Sequence, residues 1–527
     1  MSRSPVPIQR LVRLFTPFFA LSLFASVATA ALVPRLVKDI NTNSDPSQLG
    51  PFVVLNGVAY FQAFDPFHGS ELWRSDGTAA GTWLVTDLLS GPNSGSPHSL
   101  VAWNNQLWFG AALGTNGVTL MRSDGTSNGT FVVKGGFVLN DNSGFGNLSV
   151  VGNQLFFFAD EGVHHRELWK SDGTEAGTQL VKDINPGPFE SLPLFITDVN
   201  GLAVFRANDG VNGIEIWASD STSNGTVMLR DIEPGPGSSY PESFTRLGAD
   251  LFFAARNGTE LWKTDGTSNG TALVYVFGSG GFSSSIDSMT VVGSQLFFRA
   301  IVNGEGDLWR SDGTSNGTVR VMGVSSYPNS ITDLNGIAVF SADNGTVRQL
   351  WRSDGTTSGT WPIKGTNGQT VIFRPFGLKR VGDAVFFTCN AGTNGMELWQ
   401  TDGGTNSAAL VKDIWPGASS NPTVVADMNG FAFLTATTAE IGAELWRTDG
   451  TEAGTTLIKD INTRTGSSSL QAIGVVGEML FFGLGGAELW KSEGTAATTE
   501  LLYVLATGAL PAPCRSCESC DTDSRRC

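Results

Sequence analysis

Glu71-Leu72-Trp73-Arg74-Ser75-Asp76-Gly77-Thr78, followed by Gly81-Thr82, is the string on which the reading of this 527-residue chain turns, because it returns nine times. Its tryptophan position falls at Trp73, Met121, Trp169, Trp217, Trp262, Trp309, Trp351, Trp399, Trp446 and Trp490, at steps of 42 to 48 residues. Ten copies fill the chain from about residue 36 to 507 without a linker-like break. Each copy divides into four short apolar runs. In the fifth, SFTRL is followed by the turn Gly248-Ala249, LFFAA by RNGT, and ELWKTD by GTSNG, and TALVYV ends the unit. Elsewhere the first turn is Asn56-Gly57, Asn200-Gly201, Asn335-Gly336 or Asn429-Gly430. Asn-Gly between apolar runs marks a tight hairpin, since both residues tolerate the positive φ of a type I′ turn.

A four-stranded antiparallel unit repeated without linkers describes a propeller blade better than a solenoid coil. Blades pack face to face, so both faces of each small sheet need apolar cover, and large rings supply it. Nine of the fourteen tryptophans occupy the one repeat position, which marks them as architectural. The expected fold is all-β, a β-propeller of about ten four-stranded antiparallel blades over residues 31–507. Two smaller propellers are the alternative, because ten blades exceed the usual four to eight. Leu36-Val37-Lys38-Asp39-Ile40 matches the fourth strand of later copies such as Leu180-Val181-Lys182-Asp183-Ile184, whereas the tenth copy has drifted there. The N-terminal strand is therefore expected to join the last blade and close the ring.

The quoted copies ELWRSDGTAAGT, ELWKSDGTEAGT and ELWRTDGTEAGT resemble the secreted bacterial proteins named for their ELWxxDGT repeat, and the match covers nearly the whole repeat region. The resemblance implies an exported repeat protein and supplies no catalytic residues to carry over. The SDGT turn is similar, more loosely, to the Asp-box hairpin of sialidase-like and sortilin-like propellers, although the Asp-box spaces its serine, aspartate and glycine by single residues. The physical role is shared: a turn aspartate accepts backbone N–H bonds and a glycine relieves strain.

Composition narrows the function classes. The chain is 41% apolar and 16% charged, which argues against disorder. Its formal charge is −16, and the first thirty residues hold three arginines and no acid, so nucleic acid is a poor partner. Residues 1–30 combine Arg3, Arg10 and Arg13, an apolar run and the small-residue site Ala28-Thr29-Ala30, the pattern of a secretory signal peptide. No later run is long enough to span a bilayer. Residues 508–527 read as a cysteine-rich unstructured tail, in which Cys514, Cys517, Cys520 and Cys527 fit disulfides, intermolecular cross-links or a metal clip. Cys389, within VFFTCN, reads as a buried small residue.

Candidate chemistry is sparse. The ten turn acids, Asp76 to Glu493, read as caps, because calcium needs six to eight oxygens. NDNSG at 140–144 is a weak calcium loop lacking a terminal glutamate. Six Asn-Gly-Thr sequons lie where the repeat needs a turn. His164-His165 has no metal motif around it. One column breaks the symmetry. Two residues before the first hairpin turn stand Val54, Ala102, Val150, Asp198, Arg246, Val291, Asp333, Arg380, Asp427 and Val475. These first strands are expected to line a central channel, with Asp198, Arg246, Asp333, Arg380 and Asp427 either binding a ligand or fastening blades by pairing Asp198 with Arg246, and Asp333 and Asp427 with Arg380.

Two functions follow from this reading. One is a secreted, monomeric, non-catalytic protein without cofactor, presenting loops for adhesion to a surface glycan, matrix or extracellular protein. The other is a carbohydrate-active hydrolase or lyase with the channel carboxylates as acid and base.

Overall fold

The computed structural model describes residues 53–504, apart from 66, 77–80, 115–116, 139–144, 279–284, 303, 324–325, 367–373, 391–393, 429, 441, 460–469 and 485–487. The expected signal peptide at 1–30, the expected closing strand at 36–40, the segment NDNSG at 140–144 and the cysteine-rich segment 508–527 lie outside these residues.

Forty strands form ten four-stranded antiparallel sheets, each built from four consecutive strands in simple up-and-down order. Blade 1 runs from Val53–Leu55 to Trp83–Thr86, blade 5 from Glu242–Leu247 to Ala272–Val276, and blade 10 from Leu470–Val476 to Glu500–Val504. First strands of successive blades touch one another, so they converge on the axis while the fourth strands form the rim. The ten blades make one propeller, and no helix among the described residues is long and apolar enough to cross a membrane.

Side-chain alternation explains the ring. In the third strand of blade 3, Arg166–Ser171, successive side chains point to opposite faces. Leu168 enters a core with Phe205 and Trp217 of blade 4, while Trp169 enters one with Trp108 and Phe137 of blade 2. The two central phenylalanines of the LFF strands divide likewise: Phe252 faces blade 6 and Phe253 faces blade 4. Every neighbouring pair of blades shares such a core. At the seam, Phe61 and Trp73 of blade 1 pack with Phe481, Leu489 and Leu502 of blade 10, and nothing separates blade 5 from blade 6, so there is one ring rather than two. Glu500–Val504 fills the fourth place of blade 10, with Leu501 opposite Trp490.

The rest of the repeat string closes the turn between third and fourth strands. In blade 3, Asp172 Oδ1 accepts from the backbone N and the Oγ1 of Thr174, at 2.9 and 2.7 Å. Thr174 Oγ1 accepts from Gly177 N at 2.9 Å, and its carbonyl accepts from Thr178 Oγ1 at 2.6 Å. Ser171 and Thr178 hydroxyls meet at 2.7 Å in the buried base of the hairpin. Gly173 has φ +94, and a Cβ on Gly177 would lie 2.0 Å from Asp172 Oδ1. The cap thus requires Gly177, and the positive-φ position at Gly173 favours a glycine, although blade 4 holds Ser221 there at φ +76. The Thr174 hydroxyl and N–H hold Asp172 below the usual carboxylate range. The same cap recurs in blades 2, 4, 5, 6, 7 and 9.

Candidate functional site

The channel column lies in one register. Asp198 stands opposite Ala203, Arg246 opposite Leu251, Asp333 opposite Ala338, Arg380 opposite Val385 and Asp427 opposite Ala432, each two positions before its hairpin turn. All five reach solvent, Asp198, Arg246 and Asp427 being exposed and Asp333 and Arg380 half-buried.

Their contacts differ from simple charge pairing. Asp198 accepts from Gly201 N of its own turn at 2.9 Å and from Gly152 N in the first turn of blade 3 at 2.9 Å. Arg246 donates to the backbone carbonyl of Asp198 at 2.6 Å, not to its carboxylate. Asp333 repeats the pattern, accepting from Gly336 N and from Gly293 N of blade 6 at 3.0 and 3.1 Å. It alone forms the expected ion pair, with Arg380 Nη1 at 3.2 Å from Oδ2. Arg380 also donates to Asn335 Oδ1 at 2.6 Å. Asp427 has no ion-pair partner among the described residues. Two of the three acids therefore link a blade to the turn of the blade before it, through backbone amides that a search for opposite charges overlooks. Asp198, Asp333 and Asp427 belong to blades 4, 7 and 9, so no two stand on adjacent blades.

The histidine pair is local. His164 Nδ1 bonds Glu161, which raises the histidine's pKa above its ordinary value, and His165 Nδ1 lies 3.9 Å from Asp160. Among the described residues there is no group of three or more His, Cys, Asp or Glu placed to hold a metal. Cys389 is buried, and burial pushes its thiol up to about 12.

A more consequential carboxylate is the glutamate that opens the repeat. Glu167 is fully buried and accepts from Ile184 N at 2.9 Å, Ser191 N at 2.9 Å, Asn185 N at 3.3 Å and Ser191 Oγ at 2.5 Å. It clamps the crossover from blade 3 to blade 4. Glu71, Glu215 and Glu397 hold their own crossovers in the same way. Burial raises Glu71 and Glu167 to about 7 despite these N–H donors, and raises Glu215 and Glu397 as well. The sequence offered one signal, an acid before Leu-Trp or its equivalent in eight of the ten copies, Thr119 and Gln349 being the exceptions, but its partners lie 17 to 24 residues downstream in crossovers that vary.

The ring's two ends differ. Loops between second and third strands and the crossovers between blades share one end, where Val163, Phe189, Val211 and Tyr240 are 69, 67, 69 and 43% exposed. The other end carries the Asn-Gly hairpins and the capped SDGT turns, whose apolar side chains in blades 3 to 5 are the small Ala176 and Ala249.

No family model and no curated protein matches the chain. Among solved structures it is similar to a puromycin hydrolase, at 13% identity over 67% of this chain and 62% of that one, with a TM-score of 0.30. It is also similar to a puromycin-hydrolyzing peptidase of Mycobacterium tuberculosis, at 10% identity over 67% and 62%, TM-score 0.31. A third is the GH74 enzyme of Niastella koreensis, at 11% identity over 89% and 74%, TM-score 0.30. The chain thus spans less than two thirds of the length of the first two. Likeness of this degree carries nothing about chemistry, and the fold rests on the chain's own sheet order.

Proposed function

We propose that this is an exported, non-catalytic repeat protein of the ELWxxDGT kind, whose ring presents loops to a surface glycan, matrix component or extracellular protein. The observation that carries the reading is the asymmetry of the ring's ends. Val163, Phe189, Val211 and Tyr240 place apolar side chains in water on loops of blades 3 and 4 and the crossovers that follow them, where the fold itself has no need of them. Exposed apolar loop residues grouped on one side of a molecule fit a contact surface. The motif residues support the same reading from the other direction. Glutamate, leucine, tryptophan, serine, aspartate, both glycines and the threonines each have a structural partner in blade 3, so their repetition follows from architecture. Export is read from the basic and apolar pattern of residues 1–30.

The test is a glycan and matrix-protein array probed with purified protein, run beside hydrolase and lyase assays on the same oligosaccharides. Binding without turnover, lost when Phe189 and Tyr240 are both changed to Ser, is the expected result. Turnover abolished by Asp427→Asn would instead establish the channel-enzyme reading, which draws on a channel acid that has no ion-pair partner among the described residues.

A further inference from the structure

Within ten copies of one unit, the places where the sequence leaves the pattern are informative, and several converge on the seam between blades 5 and 6. The fourth strand usually carries a basic residue across from the leucine of Leu-Trp. Lys182 stands there in blade 3, and its Nζ donates to the Thr226 carbonyl of blade 4 at 2.7 Å while lying 5.8 Å from the Trp217 ring. Lys412 reaches Thr455 in the same way at 2.8 Å. In blade 5 this position is Tyr275, and the isoleucine two residues on, Ile184 in blade 3, is Phe277. Blade 6 departs to match. Its opening acid is Asp307, one methylene shorter than the clamping glutamates, and the apolar residue across from its tryptophan, Leu180 in blade 3, is Arg320.

The altered residues line one cleft of about 460 Å³. The Tyr275 ring lies 5.4 Å from that of half-buried Trp309 at 51°, and Phe277 backs Trp309 edge-on at 4.9 Å. Arg320 Nε lies 2.8 Å from Asp307 Oδ2, with the aspartate buried and the arginine open to the cleft. Glu305 is exposed at the mouth. Rings of this kind take the C–H face of a flat, partly apolar ligand. A carboxylate joined to a guanidinium offers acceptors and donors side by side, which suits adjacent hydroxyls. The guanidinium disfavours an ammonium ion beside the rings, and two carboxylates disfavour an anion. We infer that the cleft of Tyr275, Trp309, Asp307 and Arg320 is a binding site for a neutral saccharide, with a pyranose ring on Tyr275 and Trp309 and its hydroxyls on the Asp307–Arg320 pair. This rests on the interaction reading above and names a ligand class and a place for it.

The experiment uses the whole exported chain, with ligand-observed NMR against cellobiose, lactose, mannobiose, chitobiose and tetramethylammonium. Binding is then titrated by the Trp309 indole resonance, assigned with Trp309→Phe. Tyr275→Lys and Arg320→Leu each restore the residue type that other blades carry, so the fold has a precedent for them. The expected result is a disaccharide that shifts the Trp309 resonance and binds at least tenfold more weakly to each variant, the melting temperature being unchanged in Tyr275→Lys and lowered in Arg320→Leu, which strips the buried Asp307 of its guanidinium. Equal binding by parent and variants, with Trp309 unmoved, would overturn this site and leave the interaction reading standing. Binding of tetramethylammonium alone would overturn the saccharide assignment. Binding of none of the probes, while the array still reports a matrix protein, would do the same.

Discussion

The seam between blades 3 and 4 and the seam between blades 5 and 6 are built from the same repeat and end in different surfaces. At the first, Trp217 is 6% exposed, Lys182 bonds across its edge, and Glu167 ties down the crossover. At the second, an aromatic replaces the lysine, and Glu260 accepts from the Trp262 indole at 2.7 Å. Trp309 there is only half-buried. The comparison teaches that the ELW tryptophan is closed off where a basic residue and a clamped crossover cover it, as at Trp217, and more open where Tyr275 stands in that basic residue's place, as at Trp309. Four measurements would break or sharpen that contrast.

The largest effect belongs to the rings. Trp217→Ala should destabilise the protein by about 3 to 5 kcal/mol, as should Trp262→Ala, the usual range for emptying a large buried site. Trp309→Ala should cost about 2 kcal/mol or less, because part of its surface is already in water. Denaturant unfolding of the three variants checks this, and equal losses would erase the distinction between the seams.

Next is pH. Glu167 is raised from 4.5 to about 7 by burial, so between those values the folded chain holds a proton that the unfolded chain has released. Its contribution is fully present below about 4.5 and is lost as pH rises through about 7, a change on the order of 2 kcal/mol for this one group. Unfolding midpoints should therefore fall from pH 5 to pH 8, and Glu167→Gln should flatten the slope. A midpoint that rises over that range would show the clamps to be ionised throughout.

Gly177→Ala should cost about 1 to 3 kcal/mol, since its Cβ would overlap Asp172 Oδ1, and the added change Asp172→Ala should recover part of the loss. Additive losses would mean that the glycine is needed for another reason. The smallest effect is expected at the channel, where Arg380→Ala removes a half-exposed ion pair with Asp333 and should change stability by less than about 1 kcal/mol. Thermal unfolding at low and high salt reads it, and a larger loss would make the pair a principal fastener of blades 7 and 8.

Much of this molecule was legible from spacing alone. The recurrence of Trp73 through Trp490 gave the blade count, and Asn56-Gly57 and its equivalents gave the hairpins. The channel column was found at the right register, yet its bonds were misjudged, because Asp198 and Asp333 use backbone amides of glycines in the preceding blade, which carry no charge to read. Glu167 was hidden for a related reason: its donors are main-chain groups in a crossover of unrelated sequence. Tyr275 stands in the string TALVYV, which reads as an ordinary fourth run of the repeat. What distinguishes Tyr275 from Lys182 is the neighbour each reaches across the seam, and one sequence does not display that.

Hydroxyl-radical footprinting, read tryptophan by tryptophan in the native protein, tests the central contrast most directly. Trp73, Trp169, Trp217, Trp262, Trp446 and Trp490, all buried, should be protected, whereas Trp309, Trp351 and Trp399, all half-buried, should be oxidised, and of these Trp309 alone should be protected by a bound disaccharide. Oxidation of all nine repeat tryptophans at similar rates would contradict the account, since it would make the repeat itself a ligand surface and not the frame of the ring.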